Sequence, residues 1–124
     1  MQITIDIESA TPIFAQLIEQ IKQAVTNGDI APGSPLPSIR QLANDLEINN
    51  KTVAKAYGLL ERDSVIQSKG YRGSFIHPDA IANSSVDLSQ WVEKKLNKII
   101  VEFKNAGVTD SEIRIAFGNV LKNN

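Results

Sequence analysis

The chain has 124 residues, which suits one compact domain or one small domain with an appendage and excludes a multi-domain enzyme. Hydrophobic residues make up 42% and charged residues 22%, enough apolar material for a folded core. There is no cysteine and His77 is the single histidine, so we expect no disulfide, no metal site and no cofactor. The sequence also lacks a catalytic grouping or a phosphate-binding loop, and we do not expect an enzyme.

The charge is unevenly distributed. A net charge of −1 and a pI near 5.8 argue at first sight against a nucleic-acid partner. Residues 48–77, however, carry a net charge of +3, whereas the rest of the chain carries −4. The five cations of this segment are Lys51, Lys55, Arg62, Lys69 and Arg72. Because the start has no signal-peptide pattern and no apolar run approaches the roughly 20 residues of a membrane span, we expect a cytoplasmic protein without a membrane partner.

The first elements in chain order are an alternating segment and a helix. Residues 3–7 alternate apolar and polar side chains, as in a short half-buried strand or an ordered arm. Thr11 and Pro12 predict a helix start with Thr11 as the cap, and Gly28 predicts the helix end. The broad apolar stripe of this helix consists of Ile13, Leu17, Ile21 and Val25, joined by Phe14, Ile18 and Ala24. Residues 30–37 contain three prolines and a glycine, so we expect a loop.

Two short helices and a hairpin are predicted next. Ser38 caps one helix, residues 47–49 turn the chain, and a second helix begins at Asn49 or Asn50. Residues 65–68 and 74–77 read as strands joined by a glycine-containing turn at 69–73. The predicted fold class is therefore mainly α with a small β wing, a winged helix-turn-helix domain spanning residues 1–78.

The remaining chain is predicted to be a linker at 79–86 and a two-helix tail at 87–124. One helix starts at Asp87, and a capping box from Thr109 to Glu112 opens the other. Two such helices cannot enclose a drug-sized cavity, so their apolar faces need a partner, either a second copy or the winged unit. The predicted dimer-interface residues are Leu88, Trp91, Val92, Leu96, Ile99, Ile100, Phe103 and Phe117.

Polar and basic residues cluster at the start of the second short helix, where a recognition helix reads base edges in the major groove. The predicted DNA-binding residues are Ser38, Arg40, Asn49, Asn50, Lys51, Thr52, Lys55, Lys69, Gly70, Tyr71, Arg72 and Gly73. Arg40 and Ser38 would contact phosphate, and 69–73 would form the wing tip. Each part also has a plainer reading: an exposed helix face capped by asparagine, a solvated arginine, and a basic turn that keeps the strand edge soluble.

The order of these residues resembles the GntR family of bacterial regulators, and the short tail with Ala56-Tyr57 resembles its YtrA subfamily. The resemblance runs from Pro12 to Ile76 and depends on Leu-Pro-Ser-Ile-Arg at 36–40, Thr-Val at 52–53 and Gly-Ser-Phe at 73–75. It implies a DNA-binding dimer, usually a repressor, often of genes for ABC transporters. It also implies that Arg40 contacts phosphate, that residues 49–52 are the polar recognition-helix residues, and that Gly73 is the wing glycine. The chain differs at Asn50 and Ala54, where the family commonly has arginine, and in its wider wing turn.

These observations predict a homodimeric, sequence-specific regulator that binds a pseudo-palindromic operator, with a small-molecule effector as a further possible partner. Two alternatives remain. A winged helix can serve as a protein-interaction module, which the net charge favours. An RNA-binding or architectural protein would need more cations and an aromatic platform than this sequence contains.

Overall fold

The computed structural model describes residues 1–85 and 88–124, and for Leu88 and Ser89 the backbone alone. The chain divides into two compact units, Met1–Val86 and Asp87–Asn124. Among the described residues, the first contains four α-helices, a 3₁₀ turn and a two-stranded antiparallel sheet, and the second contains two α-helices. The mainly α fold with a small β wing is confirmed, and the described helices include none long and apolar enough to cross a membrane.

Helix α1 (Ile13–Thr26) starts one residue later than predicted. Pro12 is the N-cap and makes no side-chain capping bond, so the prediction that Thr11 caps the helix is wrong. The carbonyl oxygen of Thr11 instead accepts a hydrogen bond from Nε2 of Gln16 at 2.8 Å. Gly28 adopts φ = 79° just beyond the helix, the left-handed conformation that glycine allows at a helix end.

The N-terminal segment is an ordered arm and not a strand. The side-chain amide of Gln20 accepts from the backbone N–H of Thr4 at 2.9 Å and donates to its carbonyl oxygen at 2.7 Å. Gln16 makes the same pair of bonds with the backbone of Asp6, both at 2.9 Å. Two glutamine side chains thus make the hydrogen bonds that a neighbouring strand would make. The backbone N–H and carbonyl groups of Thr4 and Asp6 are therefore paired although the arm belongs to no sheet.

Helices α2 (Ile39–Leu46) and α3 (Asn50–Arg62) form the predicted helix-turn-helix. The turn depends on Glu47, which has φ = 56° and ψ = 44°, and on the bond from the Ile48 N–H to the carbonyl oxygen of Ala43 at 3.0 Å. Ala43 is 1% exposed, and its small side chain suits a close approach of the two helices. The core side chains of the three helices include Leu17, Ile21, Val25, Leu42, Val53, Ala56, Tyr57 and Leu60.

Strands β1 (Ile66–Ser68) and β2 (Ser74–Ile76) form the predicted hairpin. They pair with Gln67 opposite Phe75, and a 3₁₀ turn at Gly70–Arg72 connects them. The loop at 30–37 makes contacts that the sequence did not predict. The backbone of residues 33–36 forms hydrogen bonds with β2. Leu36 N–H donates to the Ser74 carbonyl at 2.9 Å, and Ile76 N–H donates to the Ser34 carbonyl at 2.8 Å.

The segment expected as a linker contains a short helix, α4 (Ala80–Ser84). Ala80 is fully buried in the core of the first unit. The side-chain amide of Asn83 donates to the carbonyl oxygen of Ser64 at 2.8 Å, and His77 Nδ1 accepts from the N–H of Asp79 at 3.0 Å. The small residues that suggested a linker therefore allow a close contact of α4 with the helices before it.

The second unit comprises α5 (Leu88–Asn105) and α6 (Asp110–Asn123). Gly107, with φ = 91°, lies between them. The predicted capping box is confirmed, since Thr109 accepts from the N–H of Glu112 and the Glu112 carboxylate accepts from the N–H of Thr109. Asp87, the expected start of the first tail helix, lies outside the described residues.

Candidate nucleic-acid interface

The N-terminus of α3 is an exposed polar surface. Asn49 is the N-cap, and its Oδ1 accepts from the N–H of Lys51 at 2.8 Å. Asn50 and Lys51 are exposed, and Thr52 is half-buried. The first turn contains no acidic residue, so the positive end of the helix dipole is not neutralised by its own side chains. The surface can accept an anion or base-edge acceptors, and the cap leaves the Nδ2 group of Asn49 as a donor.

The N-terminus of α2 is fixed by a contact from α3. Ser38 caps α2 by accepting from the N–H of Gln41 at 3.1 Å. The carbonyl oxygen of Pro37, one residue earlier, accepts from the Tyr57 hydroxyl at 2.7 Å. Burial raises the pKa of the Tyr57 hydroxyl to about 12, so this donor stays protonated above the pH at which an exposed tyrosine ionises. Arg40 lies exposed in the first turn of α2, on the helix end that this bond connects to α3.

Lys55 lies one turn beyond Lys51 and is also exposed. Its ammonium nitrogen is 3.9 Å from the centroid of the Phe14 ring at the start of α1. Because residues four apart share a helix face, Lys51 and Lys55 present their charges from the same side of α3. Lys55, a predicted DNA-binding residue, thus contacts the ring of Phe14, which the sequence predicted only as part of the apolar stripe of α1.

The wing tip presents two cations and an aromatic ring. Tyr71 is 95% exposed, and the Arg72 guanidinium carbon is 5.9 Å from its ring centroid. Lys69 Nζ lies 4.8 Å from the centroid of Phe75. Gly70 has φ = 62° and Gly73 has φ = 95°, conformations that allow this turn and that other residues adopt with strain. The wing is an exposed basic tip on a short sheet.

Arg62 contributes less surface charge than the sequence count suggests. Its Nε lies 2.8 Å from Oδ1 of Asp63, whose other oxygen is 3.3 Å from Nζ of Lys22. Burial alone would raise the pKa of Asp63, but the hydrogen bonds and charges of Arg62 and Lys22 together lower it below its ordinary value. Arg62 therefore belongs to a structural ion-pair network. We call the five exposed cations of the described part of the first unit that lie outside this network the basic set: Arg40, Lys51, Lys55, Lys69 and Arg72.

The predicted dimer-interface residues lie on two helices with exposed apolar surface. Trp91, Val92, Ile99, Phe103 and Phe117 are between 41% and 58% exposed. Leu96 and Ile100 are half-buried, and the side chain of Leu88 lies outside the described residues. No residue of α6 is buried in the described chain. These side chains are accessible in the single chain, and whether a second copy covers them stays a prediction.

The described residues contain no group of three or more histidine, cysteine, aspartate or glutamate side chains that could hold a metal ion. His77 instead uses Nδ1 to accept a backbone hydrogen bond before α4.

Comparisons with known proteins agree with this geometry. Residues 14–76 match the family described as "Bacterial regulatory proteins, gntR family". The HTH-type transcriptional repressor YtrA of Bacillus subtilis (strain 168) is 37% identical over 106 residues, which cover 86% of this chain and 82% of that protein.

Two solved structures share the architecture. YtrA from Sulfolobus acidocaldarius, a GntR-family transcription factor, superposes with a TM-score of 0.57 at 33% identity, covering 98% of this chain and 97% of that one. AraR(DBD) in complex with operator ORE1 superposes with a TM-score of 0.52 at 26% identity, covering 61% of this chain and 93% of that one.

The winged helix-turn-helix fold and the match to regulatory proteins define the class of the protein, a DNA-binding transcriptional regulator and not an enzyme. More narrowly, the chain belongs to the GntR family of bacterial regulatory proteins, and its resemblance to YtrA spans both the winged unit and the tail.

Proposed function

We propose that the protein is a cytoplasmic repressor that binds a two-fold-symmetric DNA operator as a homodimer. The observation that carries the proposal is the exposed N-terminus of α3, where Asn50 and Lys51 follow the N-cap residue Asn49 and the first turn contains no acidic residue. The repressor assignment rests on the likeness to the Bacillus subtilis repressor YtrA, and a symmetric site follows from a two-fold dimer.

Different parts of the interface have different tasks in this proposal. Residues 49–52 read base edges in the major groove, where asparagine pairs with adenine and lysine with guanine. Arg40, Ser38 and Lys55 contact phosphate and set the position of the helix. Residues 69–73 place the wing against the neighbouring groove. AraR(DBD), whose winged unit resembles this one, was solved with operators, which supports DNA as the partner of this face.

The second unit supplies the dimer contact. Phe103 is 41% exposed and Val92 is 45% exposed, and with Leu96 and Ile99 they follow helical spacing on one side of α5. An isologous contact of this stripe with its copy would bury it and set the spacing of two half-sites. The winged unit as the partner of the stripe is the alternative, and it predicts a monomer. A small-molecule effector and control of a neighbouring ABC transporter operon remain predictions of the resemblance.

The experiment begins with selection of bound sequences from a random DNA pool by the purified chain. The dissociation constants for a selected duplex and its scrambled version are then measured by fluorescence anisotropy as a function of salt. The basic set allows at most about ten phosphate contacts per dimer, so the logarithmic salt slope should be no steeper than about −9.

Variants separate the two kinds of contact. We expect Arg40→Ala to weaken both duplexes alike, whereas Lys51→Gln also lowers the preference for the selected duplex by about 1 kcal/mol or more. Arg114→Ala removes an exposed cation of α6 and serves as the matched control, which should change neither constant. Equal binding of selected and scrambled DNA by the unaltered chain would refute the proposal and favour a protein-interaction module.

A further inference from the structure

Two lysines of the basic set lie over phenylalanine rings. Lys55 Nζ is 3.9 Å from the centroid of Phe14, and Lys69 Nζ is 4.8 Å from the centroid of Phe75. Both lysines are exposed, whereas both rings are half-buried. Phe14 packs against the hydrophobic core, and Phe75 is held in β2 opposite Gln67. Each ring is therefore held by the fold, whereas each ammonium lies at the end of a flexible side chain.

A lysine whose conformation is already restricted can bind a phosphate at a lower entropic cost. The side chain has a flexible four-carbon stem, and fixing it at a phosphate costs conformational entropy. A ring that attracts the ammonium in the free protein removes part of that cost before DNA arrives. The ammonium carries three N–H donors, so those directed away from the ring can still bind an anion.

We propose that Phe14 and Phe75 are positioning residues for DNA binding, which hold Lys55 and Lys69 where their ammonium groups meet backbone phosphates. This inference rests on the proposed operator binding and adds two residues outside the predicted interface. The Lys55 pair has the shorter distance and lies on the face of α3 that also carries Lys51, so it is the pair to test.

A purely structural role would make a different prediction. If the ring only packs against the core and the lysine stem only covers it, removing the ring changes stability but not the contribution of the ammonium to DNA binding. A double-mutant cycle separates the two roles, because it measures whether the effect of one side chain depends on the presence of the other. Lys51 provides the control, since no ring contact of its ammonium is found in the described residues.

The cycle comprises Phe14→Leu, Lys55→Gln and the double variant of the full chain, titrated by anisotropy on the selected two-half-site duplex. Phe14→Leu should raise the dissociation constant about two- to fivefold for each half-site, as expected for an exposed cation–π contact. The same substitution should have no further effect once Lys55 is glutamine. In the Lys51→Gln background it should retain its full effect, and Phe14→Tyr, which keeps a ring, should bind like the unaltered chain.

The salt dependence gives a second readout. Lys55→Gln should reduce the logarithmic salt slope by about 0.9 for each protomer, because one phosphate contact is lost. Phe14→Leu should leave the slope unchanged, since the lysine still reaches the phosphate. Thermal unfolding of each variant confirms that it is folded, and Phe14→Met replaces Phe14→Leu in the cycle if the leucine variant is not.

Two results would overturn the inference. One is an equal loss from Phe14→Leu whether or not Lys55 is present, and the other is an unchanged or tighter dissociation constant for Phe14→Leu. Lys55→Gln could leave both the dissociation constant and the salt slope unchanged while Arg40→Ala weakens DNA binding. The proposed DNA interface would then be retained, but the inference about Phe14 would fail. If the unaltered chain does not prefer selected over scrambled DNA, the proposed function itself fails.

Discussion

Tyr57 in α3 donates its hydroxyl hydrogen to the carbonyl oxygen of Pro37 at 2.7 Å. Pro37 precedes Ser38, the cap of α2, so one side chain of α3 connects that helix to the N-terminus of α2. Tyr57 is 4% exposed, and the bond satisfies the one polar atom of a buried ring. The relation explains why a tyrosine stands at a position that core packing alone would fill with leucine or phenylalanine.

Tyr57→Phe should lower the free energy of unfolding by about 1 kcal/mol, because it removes this hydrogen bond and keeps the ring. Tyr71→Phe is the matched control, since Tyr71 is 95% exposed, and it should leave stability unchanged. Urea unfolding measures both. An unaltered midpoint for Tyr57→Phe would show that the bond contributes nothing to the fold.

The same hydrogen bond predicts that the effect of Tyr57→Phe on stability depends on pH in the alkaline range. Burial raises the pKa of Tyr57 to about 12, above its ordinary value of 10. The unfolded chain therefore loses this proton first, and the stability that the neutral hydroxyl provides is complete below about pH 10 and lost as the pH rises toward 12. The difference in stability between the unaltered chain and Tyr57→Phe should shrink over this range. A difference independent of pH would contradict the assignment.

Asn49 combines a structural and a proposed recognition task, and two substitutions separate them. Asn49→Ala removes the cap that accepts from Lys51 N–H and should destabilise the protein by about 1 kcal/mol. Asn49→Ser keeps a capping oxygen and should leave stability near its original value, but it lacks the amide that pairs with adenine. If Asn49 reads a base, both variants lose preference for the selected duplex. If Asn49→Ser keeps its preference for the selected duplex, Asn49 caps the helix and reads no base.

Asp63 should make the free energy of unfolding depend on pH in the acidic range. Its pKa lies below its ordinary value because the hydrogen bonds and charges of Arg62 and Lys22 outweigh its burial. A carboxyl with a lowered pKa contributes stability above its unfolded pKa, and that contribution is lost as the pH falls through the folded pKa. Asp63→Asn should cost about 2 kcal/mol at pH 7, and the two unfolding curves should converge below about pH 4. Asp45→Asn, at an exposed position of α2, is the control. Its stability should match that of the unaltered chain over the same pH range.

Phe103→Asp should convert the proposed dimer into a monomer at micromolar concentration, because it places a charge in the apolar stripe of α5. Val101 is 49% exposed, similar to Phe103 at 41%, but two residues earlier it points to the other side of the helix. Val101→Asp should therefore remain dimeric. Light scattering after size exclusion gives the mass of each variant, and a monomeric unaltered chain would refute the dimer.

The sequence predicted the helices and the wing well because their signals are local. Ser38, Gly28 and the pair Thr109 and Glu112 act on backbone groups within a few residues, so their effects could be anticipated. Thr11 is not the cap because Pro12 is extended, with ψ = 149°, and the helix begins only at Ile13. The carbonyl oxygen of Thr11 accepts a hydrogen bond from the side chain of Gln16 instead. That contact depends on where the arm lies, which no local signal specifies.

The missed features all involve contacts distant in sequence. Residues 33–36 pair with β2 although Pro35 has no N–H to donate, since the neighbouring backbone groups of Ser34 and Leu36 make the bonds. Helix α4 forms because Ala80 is buried, although its composition resembles a linker. Phe14 reads as a core residue in its helix, and its place under Lys55 follows only from the packing of α1 against α3.

The central claim is that two copies of this chain read two half-sites through the N-termini of their α3 helices. Its most direct test is a titration of the selected duplex, with both half-sites intact or with one scrambled, in which stoichiometry and dissociation constant are measured together. We predict two chains per intact duplex and a loss of at least about 4 kcal/mol when one half-site is replaced, because each mismatched base pair costs about 1–3 kcal/mol. One chain per duplex, with equal affinity for intact and half-scrambled DNA, would contradict the account.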